Sequence, residues 1–77
     1  MVKLYPNPTT GLLYISQPSS NEPILMQIYD SSGKLKLVKN DIRTTNTIDM
    51  SSFVNGIYFV KIFSTEFGDS VDKVILK

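Results

Sequence analysis

The sequence predicts an all-β fold: a small antiparallel β-sandwich of about seven strands, immunoglobulin-like in architecture. Three observations lead there. Short apolar segments alternate with period two, clusters of Gly, Asn, Asp, Ser and Pro separate them at close intervals, and no stretch carries a convincing 3.6-residue helical period. The stretch on which the chain is organised is Ile48 to Phe63, which ends in the longest apolar, β-branched and aromatic run, introduced by the turn pair Asn55-Gly56. Alternation in that run puts Tyr58, Val60 and Ile62 inward and Ile57, Phe59, Lys61 and Phe63 outward, and its composition favours pleated backbone over helix. It is the expected central strand.

Taken in order, the chain opens with an extended piece from Val2 to Tyr5. Tyr5-Pro6-Asn7-Pro8-Thr9-Thr10-Gly11 is then a rigid connector, because each proline fixes its own φ and biases its predecessor toward extended geometry, and the glycine is free to turn at the exit. Leu12 to Ser16 is a strand with Leu13 and Ile15 on one face and Leu12 and Tyr14 on the other. Gln17 to Pro23 is a polar loop. Ile24 to Tyr29 alternates cleanly, with Ile24, Met26 and Ile28 inward, and Asp30-Ser31-Ser32-Gly33 is a tight turn into a hairpin partner, Lys34 to Lys39. In that partner Leu35 and Leu37 are expected inward and Lys34, Lys36 and Lys39 in water.

Asn40 to Asn46 reads as a polar loop and Thr47 to Asp49 as a short strand. Met50 to Val54 is expected to form one helical turn, capped by Asp49, Ser51 and Ser52. Thr65-Glu66-Phe67-Gly68-Asp69 connects the central strand to the last one, Ser70 to Leu76, with Val74 and Leu76 inward.

Length and composition bound what such a chain does. Its 77 residues make a single domain, 1–77, of a size that buries only about 60% of its unfolded surface. It has no cysteine or histidine, so neither a disulfide nor a common zinc site supports the core, and the apolar 42% of residues must suffice. Met1 directly precedes strand-like sequence, as when a domain is excised from a longer protein. A net charge of +1, with no cluster of lysine or arginine clear of nearby acids, argues against nucleic acid. No apolar run is long enough to span a bilayer as a helix, and direct membrane insertion is not expected.

The inventory for catalysis is thin. Without imidazole or thiol, the carboxylate pairs Asp30 with Asp49 and Asp69 with Asp72 are the remaining candidates for acid-base work or calcium. Each lies in or beside a turn, where a backbone cap is the expected role, and none has the ligand spacing of a calcium loop. The reading is therefore no enzyme, no catalytic or metal residue, no cofactor and no small-molecule substrate. Gly11, Gly33, Gly56 and Gly68 are too scattered for a phosphate cradle and read as turn residues. Tyr5, Tyr14, Tyr29, Tyr58, Phe59 and Phe63 could form a sugar-stacking platform, though core packing is their default role. A small carbohydrate-binding or adhesive module is accordingly the alternative function.

Four motifs, in order, bring a known family into view: Tyr5-Pro6-Asn7-Pro8-Thr9-Thr10-Gly11, Tyr29-Asp30-Ser31-Ser32-Gly33-Lys34, Asn55-Gly56-Ile57-Tyr58-Phe59-Val60-Lys61-Ile62 and Lys73-Val74-Ile75-Leu76-Lys77. Together they span nearly the whole chain, which resembles the type A C-terminal sorting domain of the type IX (Por) secretion system. The resemblance implies a tail on secreted or cell-surface proteins of Bacteroidetes-type bacteria, whose parent reaches the periplasm by its own signal peptide. It implies recognition of the folded tail by outer-membrane machinery and removal by a sortase-like peptidase, with the cargo released or attached to surface lipopolysaccharide. The matching positions are Pro6, Asn7, Pro8, Gly11, Gly33, Lys34, Gly56, Tyr58, Lys73, Val74, Ile75, Leu76 and Lys77. Turns account for Gly33 and Gly56 and the core for Tyr58, which leaves Lys73 to Lys77 and the outward faces for direct recognition. Two surfaces follow as expectations: an exposed apolar patch of Ile57, Phe59 and Phe63 around Lys61, and an open edge on the last strand for β-augmentation.

Overall fold

The computed structural model describes residues 2–77 as two antiparallel sheets packed face to face. The strands are β1 (Lys3–Tyr5), β2 (Leu12–Ser16), β3 (Leu25–Asp30), β4 (Leu35–Lys39), β5 (Thr47–Asp49), β6 (Gly56–Phe63) and β7 (Ser70–Leu76). One sheet has the order β1-β2-β5 and the other β4-β3-β6-β7, and every adjacent pair is antiparallel. This is an immunoglobulin-like arrangement, with the consecutive strands β3 and β4 forming a hairpin and β6 in the interior of the larger sheet.

The core lies between the sheets. Leu13, Ile15 and Ile48 enter it from the smaller sheet, and Met26, Ile28, Tyr58, Val60, Ile62, Val74 and Leu76 from the larger one. Burial of each large side chain contributes about 1.5–3 kcal/mol, the principal stabilisation for a chain without cross-links. Connecting segments close the ends with Ile24, Ile42 and Met50, all fully buried. Ile42 is held by its own N–H donating to Ile24 O at 2.9 Å, while Gln17 Nε2 donates to Ile42 O and, at 3.2 Å, to Thr45 O. Met50 N donates to Gly11 O at 2.7 Å.

Two local expectations are corrected. Leu35 does not face the core with Leu37; it is 44% exposed. A register shift between Ile28 and Tyr29 sets Ile28 opposite Leu37 but Tyr29 opposite Leu35, so one extra residue, Lys36, enters β4 and reverses the parity of the positions before it. Met50 to Val54 is not a helical turn but a single reverse turn, closed by Phe53 N donating to Met50 O at 3.0 Å. Of the expected caps, Asp49 is borne out, since its Oδ1 accepts from Ser51 N at 2.9 Å.

That turn delivers the chain to β6 through Tyr58. Its ring is 2% exposed, stacked 5.6 Å from Phe53, and its hydroxyl donates to Val54 O, four residues back, at 2.5 Å. The arrangement is that of a tyrosine corner, in which one side chain fills the core and also holds the crossing between sheets.

Candidate functional site

The proline-rich connector does more than join β1 to β2. Its rigid backbone, with both the Tyr5-Pro6 and Asn7-Pro8 peptide bonds cis, carries the chain from the smaller sheet to the edge of β7 in the larger one. There Asn7 Nδ2 donates to Lys73 O at 2.7 Å and Asn7 Oδ1 accepts from Ile75 N at 3.0 Å, so a side-chain amide takes the place of a peptide group beside the strand. Thr9 continues the pairing: its N–H donates to Ile75 O at 2.8 Å, its carbonyl accepts from Lys77 N at 2.9 Å, and it bridges Leu76 in parallel sense. Thr9 is 1% exposed, and its hydroxyl is satisfied by donating to Leu12 O at 2.7 Å and accepting from Gly11 N at 3.2 Å. The edge of β7 is therefore occupied over Lys73 to Lys77, and the expectation that it stands open for β-augmentation is overturned for that stretch. Alternation alone did not reveal this clasp; its signal was an amide side chain between two prolines.

The clasp joins the first and last sequence motifs, bringing Pro6, Asn7, Pro8 and Gly11 to Lys73, Val74, Ile75, Leu76 and Lys77. The other two arrive at the same end of the sheet through register: Gly56 lies opposite Leu76, Tyr58 opposite Val74, and Asp30, which opens the Gly33-Lys34 turn, opposite Tyr58. Gly11 has to be small and permissive here, because its φ is +151° and a Cβ would meet Ser51 Cβ at 3.3 Å.

The carboxylates act as caps where they bond locally. Asp30 accepts from the Ser32 hydroxyl at 2.6 Å, Lys34 N at 3.0 Å and Ser32 N at 2.9 Å, which hold its pKa below the usual carboxylate value. The Ser51 hydroxyl and N–H do the same for Asp49, which lies in the other sheet. Asp41 is pushed down to about 2, chiefly by the Arg43 guanidinium at 2.7 Å, while also accepting from the N–H groups of Arg43 and Ile24. Asp69 lies in the β6–β7 connection, whereas half-buried Asp72 lines a cleft of about 320 Å³ between β1 and β7. Among the described residues no group of three or more His, Cys, Asp or Glu is placed to hold a metal ion.

The outer face of the larger sheet is the second feature. In register across it run Leu35, Tyr29, Phe59 and Lys73, then Val38, Gln27, Lys61 and Val71, with Ile57 opposite Ile75 and Leu25 opposite Phe63. The residues of the expected patch around Lys61 do lie on this face, with Ile57 exposed but Phe59 and Phe63 half-buried, and the apolar face extends beyond them. Val71, at 59% exposure, is the apolar position most open to solvent on this face. Lys61 Nζ sits 4.8 Å over the Tyr29 ring, a cation–π contact, and the Tyr29 hydroxyl donates to Gln27 Oε1 at 2.8 Å. Beside them an open hollow of about 310 Å³ is lined by Tyr29, Phe59, Lys61 and Val71 and by Asp30, Ser31 and Gly33 of the β3–β4 turn. The aromatic residues do not share one platform. Tyr5 and Tyr14 stack on each other, 5.7 Å apart, on the smaller sheet, and Tyr58 is in the core.

A clasped terminal strand and an apolar, lysine-bearing sheet face on a small immunoglobulin-like sandwich define the class of protein: a small β-sandwich domain whose terminal strand is tied back to its N-terminal connector. The family model for the secretion system C-terminal sorting domain matches residues 3–77, and the chain belongs to that family. It is a type IX secretion sorting domain, of the kind that marks proteins for export to the cell surface or the extracellular space, and the family is not a catalytic one. A comparison with curated proteins returns no match.

Proposed function

We propose that this domain is the C-terminal tail of a longer exported protein, that outer-membrane type IX machinery recognises it in folded form, and that a sortase-like peptidase removes it from its cargo. The domain is the substrate of that cleavage and has no activity of its own. The observation that carries recognition of a folded tail is the clasp. Asn7 and the Lys73–Ile75 segment are joined by paired hydrogen bonds across a sequence separation of 66–68 residues, so the motifs form one surface only after folding. In an unfolded chain the same residues are far apart and present nothing in common.

The test is a reporter bearing a Sec signal peptide and this domain at its C-terminus, in a type IX-competent bacterium. Val74→Asp places a charge at a fully buried position and is expected to unfold the tail and abolish export. Lys73→Ala removes an exposed ammonium, should leave thermal unfolding nearly unchanged, and reports whether that lysine is read directly. Mass spectrometry of the exported reporter then locates the cut. Export of an unfolded Val74→Asp reporter at the wild-type level would refute recognition of the folded tail.

A further inference from the structure

The outer face of the β4-β3-β6-β7 sheet is unusual for a surface that stays in water. Its outward residues on the four strands include two lysines, Lys61 and Lys73, and no acid, set among Leu25, Tyr29, Ile57, Phe59, Phe63 and Val71. Asp30, at the rim of the hollow, has its carboxylate engaged by its own turn, and Asp72 belongs to the opposite face. The face therefore combines apolar contact area with an excess of positive charge, two lysines against the one ionised carboxylate of Asp30 at the rim, and a hollow of about 310 Å³ is near the lower bound of about 300 Å³ for ligand-sized sites.

Resting on the sorting reading above, we infer that this face docks an acidic, apolar-anchored segment of the outer-membrane export machinery. One apolar side chain of that segment enters the hollow against Tyr29, Phe59 and Val71, and its carboxylates pair with Lys61 and Lys73. Charge complementarity selects this occupant. A second copy of the domain, face to face, would set these lysines against their like, which costs rather than stabilises. An anionic membrane is disfavoured by shape, because the exposed apolar residues lie in the plane of a sheet rather than on a protruding tip. Moreover, Lys61 is folded onto the Tyr29 ring rather than extended toward headgroups.

The test immobilises purified outer-membrane type IX machinery in detergent and measures binding of the wild-type domain, Lys61→Glu, Val71→Asp and a control, Lys3→Glu, on the other sheet. The same tails are scored for reporter export, and each is checked by thermal unfolding. The two face variants should bind about tenfold more weakly or worse, the loss expected from one contact worth ~1.4 kcal/mol, and should fail in export. Lys3→Glu should match wild type, and added salt should weaken wild-type binding.

If Lys61→Glu proves unstable, Val71→Asp, at the exposed position, carries the test. Folded face variants that bind and export like wild type would overturn the docking alone. A wild-type tail that neither binds nor is exported would remove the sorting reading and the docking with it. Wild-type binding to phosphatidylglycerol vesicles with the same residue dependence, or salt-insensitive self-association through Val71, would reassign the face and overturn the proposal.

Discussion

Replacing Asn7 by alanine tests the clasp. Its amide makes two hydrogen bonds to the β7 backbone, to Lys73 O at 2.7 Å and from Ile75 N at 3.0 Å. Such bonds are worth about 0.5–1.5 kcal/mol each, and this exposed pair belongs toward the lower end, about 1–2 kcal/mol together. Against a total stability of roughly 4–12 kcal/mol for a domain of this size, that is a substantial fraction. Melting followed by circular dichroism should fall by roughly 5–15 °C. Amide hydrogen exchange localises the effect: Ile75 loses its acceptor and should exchange about tenfold faster or more, whereas Lys77, whose N–H is bonded to Thr9 O, should change less. An Asn7→Ala domain that melts with wild type and keeps Ile75 protected would refute the view that this side chain closes the sheet edge.

Tyr58→Phe keeps the ring on Phe53 but deletes the hydroxyl bond to Val54 O, and should cost about 1 kcal/mol, or about 4–8 °C in melting temperature. Gly11→Ala forces a Cβ onto a positive-φ residue 3.3 Å from Ser51 and should destabilise by about 1–3 kcal/mol in urea unfolding. Acid should destabilise the domain in a defined window. Asp41 has a folded pKa of about 2, depressed from 3.8 by Arg43, and Asp30, Asp49 and Glu66 are lowered as well. Depressed carboxylates bind fewer protons in the folded than in the unfolded state, so their stabilisation is complete above the unfolded pKa and is lost as pH falls from about 4 toward 2. Urea midpoints measured across that range should decline, and Asp41→Asn should flatten the decline.

Much of the strand framework was legible because alternation and turn chemistry are local. All seven strands occur where apolar periodicity and Gly, Pro, Asn and Ser punctuation placed them, and Tyr58, Val60, Ile62, Val74 and Leu76 face inward as their spacing requires. The apolar patch around Lys61 was legible for the same reason: once the inner set of a strand is assigned, the outer set follows. Where a local rule was interrupted, it misled. The bulge opposite Ile28 and Tyr29 turned Leu35 outward, and buried Ile42 stood as one apolar residue in an otherwise polar loop.

The sequence by itself determined the strands, the face on which most of their side chains lie, the lack of cysteine and histidine chemistry, and the motif order that identifies a sorting domain. Only the tertiary structure decided that Asn7 and Thr9 occupy the edge of β7, that four distant motifs gather at one end of one sheet, and that Leu35, Tyr29 and Val71 extend the apolar face across neighbouring strands. The physical reason is range. Alternation, capping and φ preferences act between neighbours in the chain, whereas a hydrogen bond between Asn7 and Lys73 depends on where two sheets place segments 66 residues apart.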